Sequence, residues 1–179
     1  MSDEVKIDVK RTGKRFEAEA LMRLPASLET VWGTITDYDA LPRFMPGIRA
    51  CRVLERHDQG RGCERLVAEQ HGEFRFMLFS QAMRVRLHIE HQHLRMAEAR
   101  AVEFELGLLR KRAIDVFEGR YELSAAPARR GASPAVDLRY TALIELHLPP
   151  PPAVGSLAVQ KNLAEQLRAV RQEVLRRSL

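Results

Sequence analysis

His88, His91 and His93 place three imidazoles within one short stretch, the spacing at which a metal site would first be sought. Side chains alternate along a strand, so His91 and His93 share a face while His88 does not without a turn. A zinc site needs three or four converging ligands, and these histidines fall where a hairpin tip is expected. They read as a solvated turn, and neither a metal nor any other cofactor is assigned. Cys51 and Cys63 lie near two strands flanking a turn. With no C-x-x-C and no second ligand pair, they read as two half-buried thiols of a reducing compartment. The chain has no G-x-S-x-G, no Cys–His signature, no G-x-x-x-x-G-K-[ST] and no G-x-G-x-x-G, which argues against a hydrolase, a kinase or a dehydrogenase. Acid–base chemistry remains. On a regular strand Asp115 is in phase with Phe117 and Tyr121, and Glu98 and Arg100 with Leu94, Met96 and Phe104. A carboxylate facing a cavity would have a raised pKa and could move protons in an aldol or dehydration step. A bulge that turns these residues outward, or an internal Glu–Arg pair, would remove that role, and no residue is assigned as catalytic.

The elements that must position these groups follow from periodicity. Residues 1–14 read as a tail with a short strand segment at Val5–Val9, ahead of one domain over residues 15–179. Phe16, Ala18, Ala20, Met22 and Leu24 alternate with charged residues, a strand with one buried face. Ser27 is a good N-cap for a helix carrying Val31, Trp32 and Ile35, and Asp37 for a second short helix over Tyr38–Phe44. From Ile48 the pattern is β for about a hundred residues. A turn is expected at His57–Gly60 and a bend or bulge at His71–Glu73. Met83, Val85, Leu87 and Ile89 alternate cleanly; Val102, Phe104, Leu106 and Leu108 share one face, before a kink near Gly107. The last strand is the most regular, with Val136, Leu138, Tyr140, Ala142, Ile144 and Leu146 in one phase. Pro149–Pro152 form a rigid corner. A long helix then runs from about Val154 to Arg177, with a stripe of Leu163, Leu167, Val170 and Val174 widened by Leu157 and Ala164. This order predicts an α+β helix-grip fold: a curved antiparallel sheet of about seven strands wrapped around a long C-terminal helix, with two short helices after the first strand.

The same region carries a motif. Val31, Trp32, Asp37, Tyr38, Leu41, Phe44, Pro46, Gly47 and Ile48, continuing into Val53, Leu54, Glu55 and Arg56, resemble the polyketide cyclase/dehydrase branch of the START-like (SRPBCC, Bet v 1-like) superfamily, near the coenzyme Q-binding proteins and the ribosome-association toxins. The resemblance covers the chain from about Phe16 to Arg177. It implies the helix-grip fold and, because the superfamily hosts carriers, enzymes and regulators, several functions.

A sheet bent around one helix leaves space between them unless large side chains fill it. Candidate ligand-binding residues are Phe76, Met83, Val85, Leu87, Phe104 and Phe117 on the strands and Leu163 and Leu167 on the helix. Tyr121 and Tyr140 would fix a polar end of the ligand. Phe44 and Met45, before Pro46–Gly47, form an apolar loop suited to an entrance or to peripheral membrane contact. Periodicity does not decide between a solid core and a hollow; the resemblance implies a hollow. The expected function is binding or transport of a small hydrophobic ligand (lipid, isoprenoid quinone or polyketide-like aromatic). One alternative is an enzyme, a cyclase/dehydratase of the polyketide cyclase/aromatase type. Another is a ribosome- or protein-associating regulator acting through basic residues such as Arg84 and Arg86.

The 179 residues suit one domain with a real core. Twenty-nine Lys and Arg against 24 Asp and Glu give +5, compatible with attraction to lipid headgroups or RNA and equally with a mildly basic solvated surface. No apolar run is long enough to span a bilayer and the charged N-terminus is no signal peptide, so a cytoplasmic location is expected.

Overall fold

One-sided alternation does produce strands here. The computed structural model describes residues 5–76, 79–106, 114–127, 131, 133–148 and 151–179, and their side chains except those at 74–76, 79, 81, 105, 106, 152 and 153. The strands are β1 (Lys6–Thr12), β2 (Arg15–Leu24), β3 (Ile48–Gly60), β4 (Cys63–Phe76), β5 (Phe79–Gln92), β6 (Met96–Leu106), β7 (Ile114–Ala125) and β8 (Val136–Leu146). They form one antiparallel sheet in the order β1-β2-β8-β7-β6-β5-β4-β3. The strand count is eight, not about seven. The added strand is β1, which extends the segment expected at Val5–Val9 and pairs along β2 from Lys6↔Leu21 to Thr12↔Arg15. The short helices therefore follow the second strand, not the first.

The first helix, α1 (Leu28–Ile35), is capped as expected: the Thr30 amide donates to Ser27 Oγ at 3.1 Å. The second breaks into a 3-10 turn (Tyr38–Ala40) and a single α-turn, α2 (Leu41–Phe44). Asp37 makes no capping bond. Its carboxylate accepts from the Arg177 guanidinium at 3.0 Å, and Arg177 also donates to the Gly33 carbonyl and to Glu173. Arg177 ends the long helix α3 (Pro152–Arg177), so this contact clamps the last turn of α3 onto α1. The buried stripe of α3 is Val159, Leu163, Leu167, Val170 and Val174; Leu157, expected to widen it, is 65% exposed.

Three local irregularities are not visible in the alternation. β4 runs unbroken through His71–Glu73, in register with β5 from Cys63↔Gln92 to Phe76↔Phe79; the bulges sit in β3, between Ile48 and Ala50 and between Val53 and Glu55. β3 also runs on to Gly60, and the hairpin turns at Arg61–Gly62, both with positive φ. A register shift opposite Arg86 and Leu87 inserts an extra residue in β6. It leaves Val102 46% exposed and changes the inner phase from Ala97, Ala99 and Ala101 to Phe104. Leu108, the kink near Gly107 and the corner residues Pro149 and Pro150 lie outside the described residues.

Candidate functional site

The grip encloses two apolar clusters. The larger joins Phe16, Met22, Leu24, Trp32, Leu138 and Tyr140 to the α3 residues Leu163, Leu167, Val170 and Val174. The smaller joins Leu66, Ala68, Val85, Leu87 and Ile89 on β4 and β5. Met83, Phe104 and Phe117 touch both clusters and are only half-buried, as are Tyr121 and Tyr38. Their placement is informative. Burial pushes the Tyr38 and Tyr121 hydroxyls far above the ordinary tyrosine range, and the two are close enough to influence each other. These side chains thus sit deep in the fold without being fully buried.

Across the sheet, one inner row reads Glu64, His91, Ala97, Tyr121, Tyr140 and Ala20. The Tyr121 and Tyr140 rings are 4.6 Å apart. Tyr140 is buried, with its hydroxyl pushed up to about 12 by desolvation, and lies across Gly119, where a Cβ would come within 2.7 Å of its oxygen. The 3-10 turn lowers Tyr38 onto the same face. Its hydroxyl meets His91 Nε2 at 2.7 Å, while His91 Nδ1 meets Glu64 at 3.3 Å and Arg56 donates to both Glu64 oxygens at 2.7 and 2.8 Å. Trp32 sets its edge or face against both His91 and His93, centroids 5.2 and 5.7 Å apart. A hollow of about 360 Å³ opens on the outer side of this chain, lined by Trp32, Arg56, Asp58, Cys63, Glu64, His91 and His93.

His91 is therefore not part of a solvated turn; it is 6% exposed, in phase with Leu87 and Ile89. His88 and His93 are exposed as expected. Among the described residues no group of His, Cys, Asp or Glu is arranged to hold a metal. Both thiols are free: Cys51 pairs with Gln70 and Cys63 with Gly60, far apart along the hairpin, and burial pushes Cys51 up to about 11. Asp115 does not face the interior. A register shift between Ile114 and Val116 turns it outward, where it pairs with Lys14 and His147. Glu98 is also on the outer face, shared between Arg100 and Arg120 at 2.7 and 2.9 Å. These charges border a second hollow of about 480 Å³, whose floor is the Ala18, Ala142 and Gly119 backbone. Its carboxylates and guanidiniums are largely paired with one another, and it lies on the face of the sheet opposite the tyrosines.

Of the expected ligand-binding residues, Val85 and Leu87 are buried in the smaller cluster and Tyr140, Leu163 and Leu167 in the larger. Met83, Phe104 and Phe117 pack half-buried against both clusters, and Tyr121 half-buried against the larger. Phe44 and Met45 pack half-buried against the larger cluster. The Phe76 side chain lies outside the described residues.

The model of the family described as polyketide cyclase/dehydrase and lipid transport matches residues 24–171. The chain belongs to the polyketide cyclase/dehydrase and lipid-transport family. Solved structures with the family's fold include a START superfamily protein from Mycobacterium smegmatis (TM-score 0.68, 16% identity, 89% of this chain and 97% of that one). The Zhui aromatase/cyclase from Streptomyces sp. R1128 superposes with TM-score 0.66 at 18% identity, over 91% and 95% of the two chains. A STAR-related lipid transfer protein from Xanthomonas axonopodis gives 0.62 at 18%, over 98% and 96%. No curated protein matches the sequence. For this family member, as for those structures, the likeness is one of fold. No helix among the described residues is long and apolar enough to cross a membrane.

The buried imidazole gives a pH prediction. Desolvation holds His91 below its ordinary 6.5, against the upward pull of Glu64. Below about pH 6.5 the unfolded chain takes up a proton that folded His91 resists, so stability is complete above that pH and falls as pH falls. Denaturant midpoints measured from pH 7.5 to 5.5 will decline, and His91→Gln will flatten that decline. An unchanged slope in the variant would show that His91 is not the group responsible.

Proposed function

We propose that this protein binds a small, largely apolar molecule between the sheet and α3, with its polar end toward Tyr38, Tyr121 and His91. The carrying observation is the half-buried state of Met83, Phe104 and Phe117, which pack against both apolar clusters, and of Tyr121 beside the larger. Binding would draw on burial of ligand surface, about 25 cal/mol per Å². The family's fold supports this class of function, and the half-buried Phe44–Met45 turn beside α3 is a suitable entrance. The carrier reading is preferred to the cyclase reading because the carboxylates that could have served acid–base chemistry, Asp115 and Glu98, are committed to ion pairs outside the grip. Native mass spectrometry of protein purified from its own host tests it. A discrete added mass, lost on denaturation and recovered in an organic extract, is the expected result. A bare polypeptide mass that also fails to take up added hydrophobic compounds would refute it.

A further inference from the structure

The four-residue chain behind the interior has a fixed polarity. Arg56 can only donate hydrogen bonds, and a carboxylate can only accept them. Glu64, accepting from Arg56 through both oxygens, therefore also accepts from His91, so the proton sits on Nδ1. In a neutral imidazole the other nitrogen must then accept. Tyr38 accordingly donates its only hydrogen to Nε2. What remains is a lone pair on the Tyr38 oxygen, whose half-buried side chain packs, like Val53, Met83, Phe104 and Phe117, against the smaller cluster. The low exposure of His91 supports the neutral form.

We propose that the site selects ligands bearing a hydroxyl donor, an alcohol or phenol on an apolar body, over carbonyl or ether analogues of the same skeleton. A hydroxyl would complete the relay ligand → Tyr38 → His91 → Glu64. A carbonyl or ether would bring a second acceptor against the Tyr38 oxygen and leave both lone pairs unmatched. Polarity set at the surface by Arg56 and Glu64 is in this way read out inside the grip. Within this relay Glu64 and His91 act as positioning residues, and Tyr38 is the member that meets the ligand hydroxyl.

This inference rests on the binding reading above, and the experiment separates the two. Calorimetry at pH 7.5 compares 2-naphthol with 2-methoxynaphthalene, which share a ring system and differ in the donor. Naphthol is expected to bind about fivefold more tightly or better, although the ether is the more apolar compound. Tyr38→Phe should bring the ratio near one, because naphthol loses its acceptor and the ether loses the lone pair that opposed it. Glu64→Gln should do the same from outside the cavity, because an amide can present either a donor or an acceptor to His91 and so frees its tautomer. Equal affinities in the unmodified protein, or a preference that survives Tyr38→Phe, would overturn the selectivity while the hollow stands. Binding of neither compound would remove the hollow, and the selectivity with it.

Discussion

Replacing Gly72 with alanine is expected to destabilise the protein by about 3 kcal/mol, near the top of the range for overpacking a filled site. A Cβ at Gly72 would lie 2.3 Å from the Gly47 carbonyl oxygen and 3.3 Å from its carbon. Both atoms are backbone, so no rotamer change relieves the contact. The Gly47 carbonyl also accepts from the Glu73 amide at 2.8 Å, and Arg49 pairs with Glu73 beside it. This is where the chain leaves α2, turns through Gly47 at φ 80° and joins β4. Pushing it away would release the start of β3 and the Phe44–Met45 turn that packs on α3. For a chain of this length the loss corresponds to about 10 °C in Tm. Gly33 is the control: it is helical and exposed, and a Cβ there would meet nothing within 4 Å, so Gly33→Ala should raise Tm slightly. A Gly72→Ala protein melting within about 2 °C of the parent would show that the close approach is not a constraint.

The fold is readable from residue patterns because most strands bury one face. The order of elements, the Ser27 cap and the α3 stripe through Leu163, Leu167, Val170 and Val174 all follow from periods of two and of 3.6. What is not readable depends on register between strands. Val102 leaves its expected face because one residue is inserted opposite Arg86 and Leu87, and Asp115 turns outward for the same kind of reason. Nothing in the local alternation marks either bulge. β1 is weakly patterned, with Ile7 and Val9 half-buried among charges, so its membership of the sheet is a matter of pairing with β2.

The candidate site is half legible. Tyr121, Tyr140, Phe104 and Phe117 come from phase alone. His91 is misplaced by sequence reasoning because three histidines near a hairpin tip suggest solvent. Yet the run Met83, Val85, Leu87 and Ile89 continues in phase to residue 91, and Glu64 is in phase with Leu66 and Ala68. Extending each alternation to the end of its strand places both on the inner face. Their contact with Tyr38 requires the tertiary fold, since the 3-10 turn is far from β5 in sequence.

The second large effect concerns ligand affinity. Ala99 is on the inner face of β6, half-buried, opposite Ile89 on one side and Gly119 on the other. It packs half-buried against the smaller cluster, as do Phe104 and Phe117. A phenyl group placed there has two possible fates. In a filled core it must displace neighbours, costing about 1–3 kcal/mol or more. In a hollow it takes the volume a ligand would use, and its own burial offsets any small strain.

The deciding measurement is therefore a paired one on Ala99→Phe: thermal stability, and calorimetric affinity for 2-methoxynaphthalene, which needs apolar space and no hydrogen bond. A hollow between sheet and helix predicts a Tm within a few degrees of the parent together with at least about a tenfold loss of affinity. A protein that is sharply destabilised, while the parent shows no affinity to lose, would mean that the interior is already full.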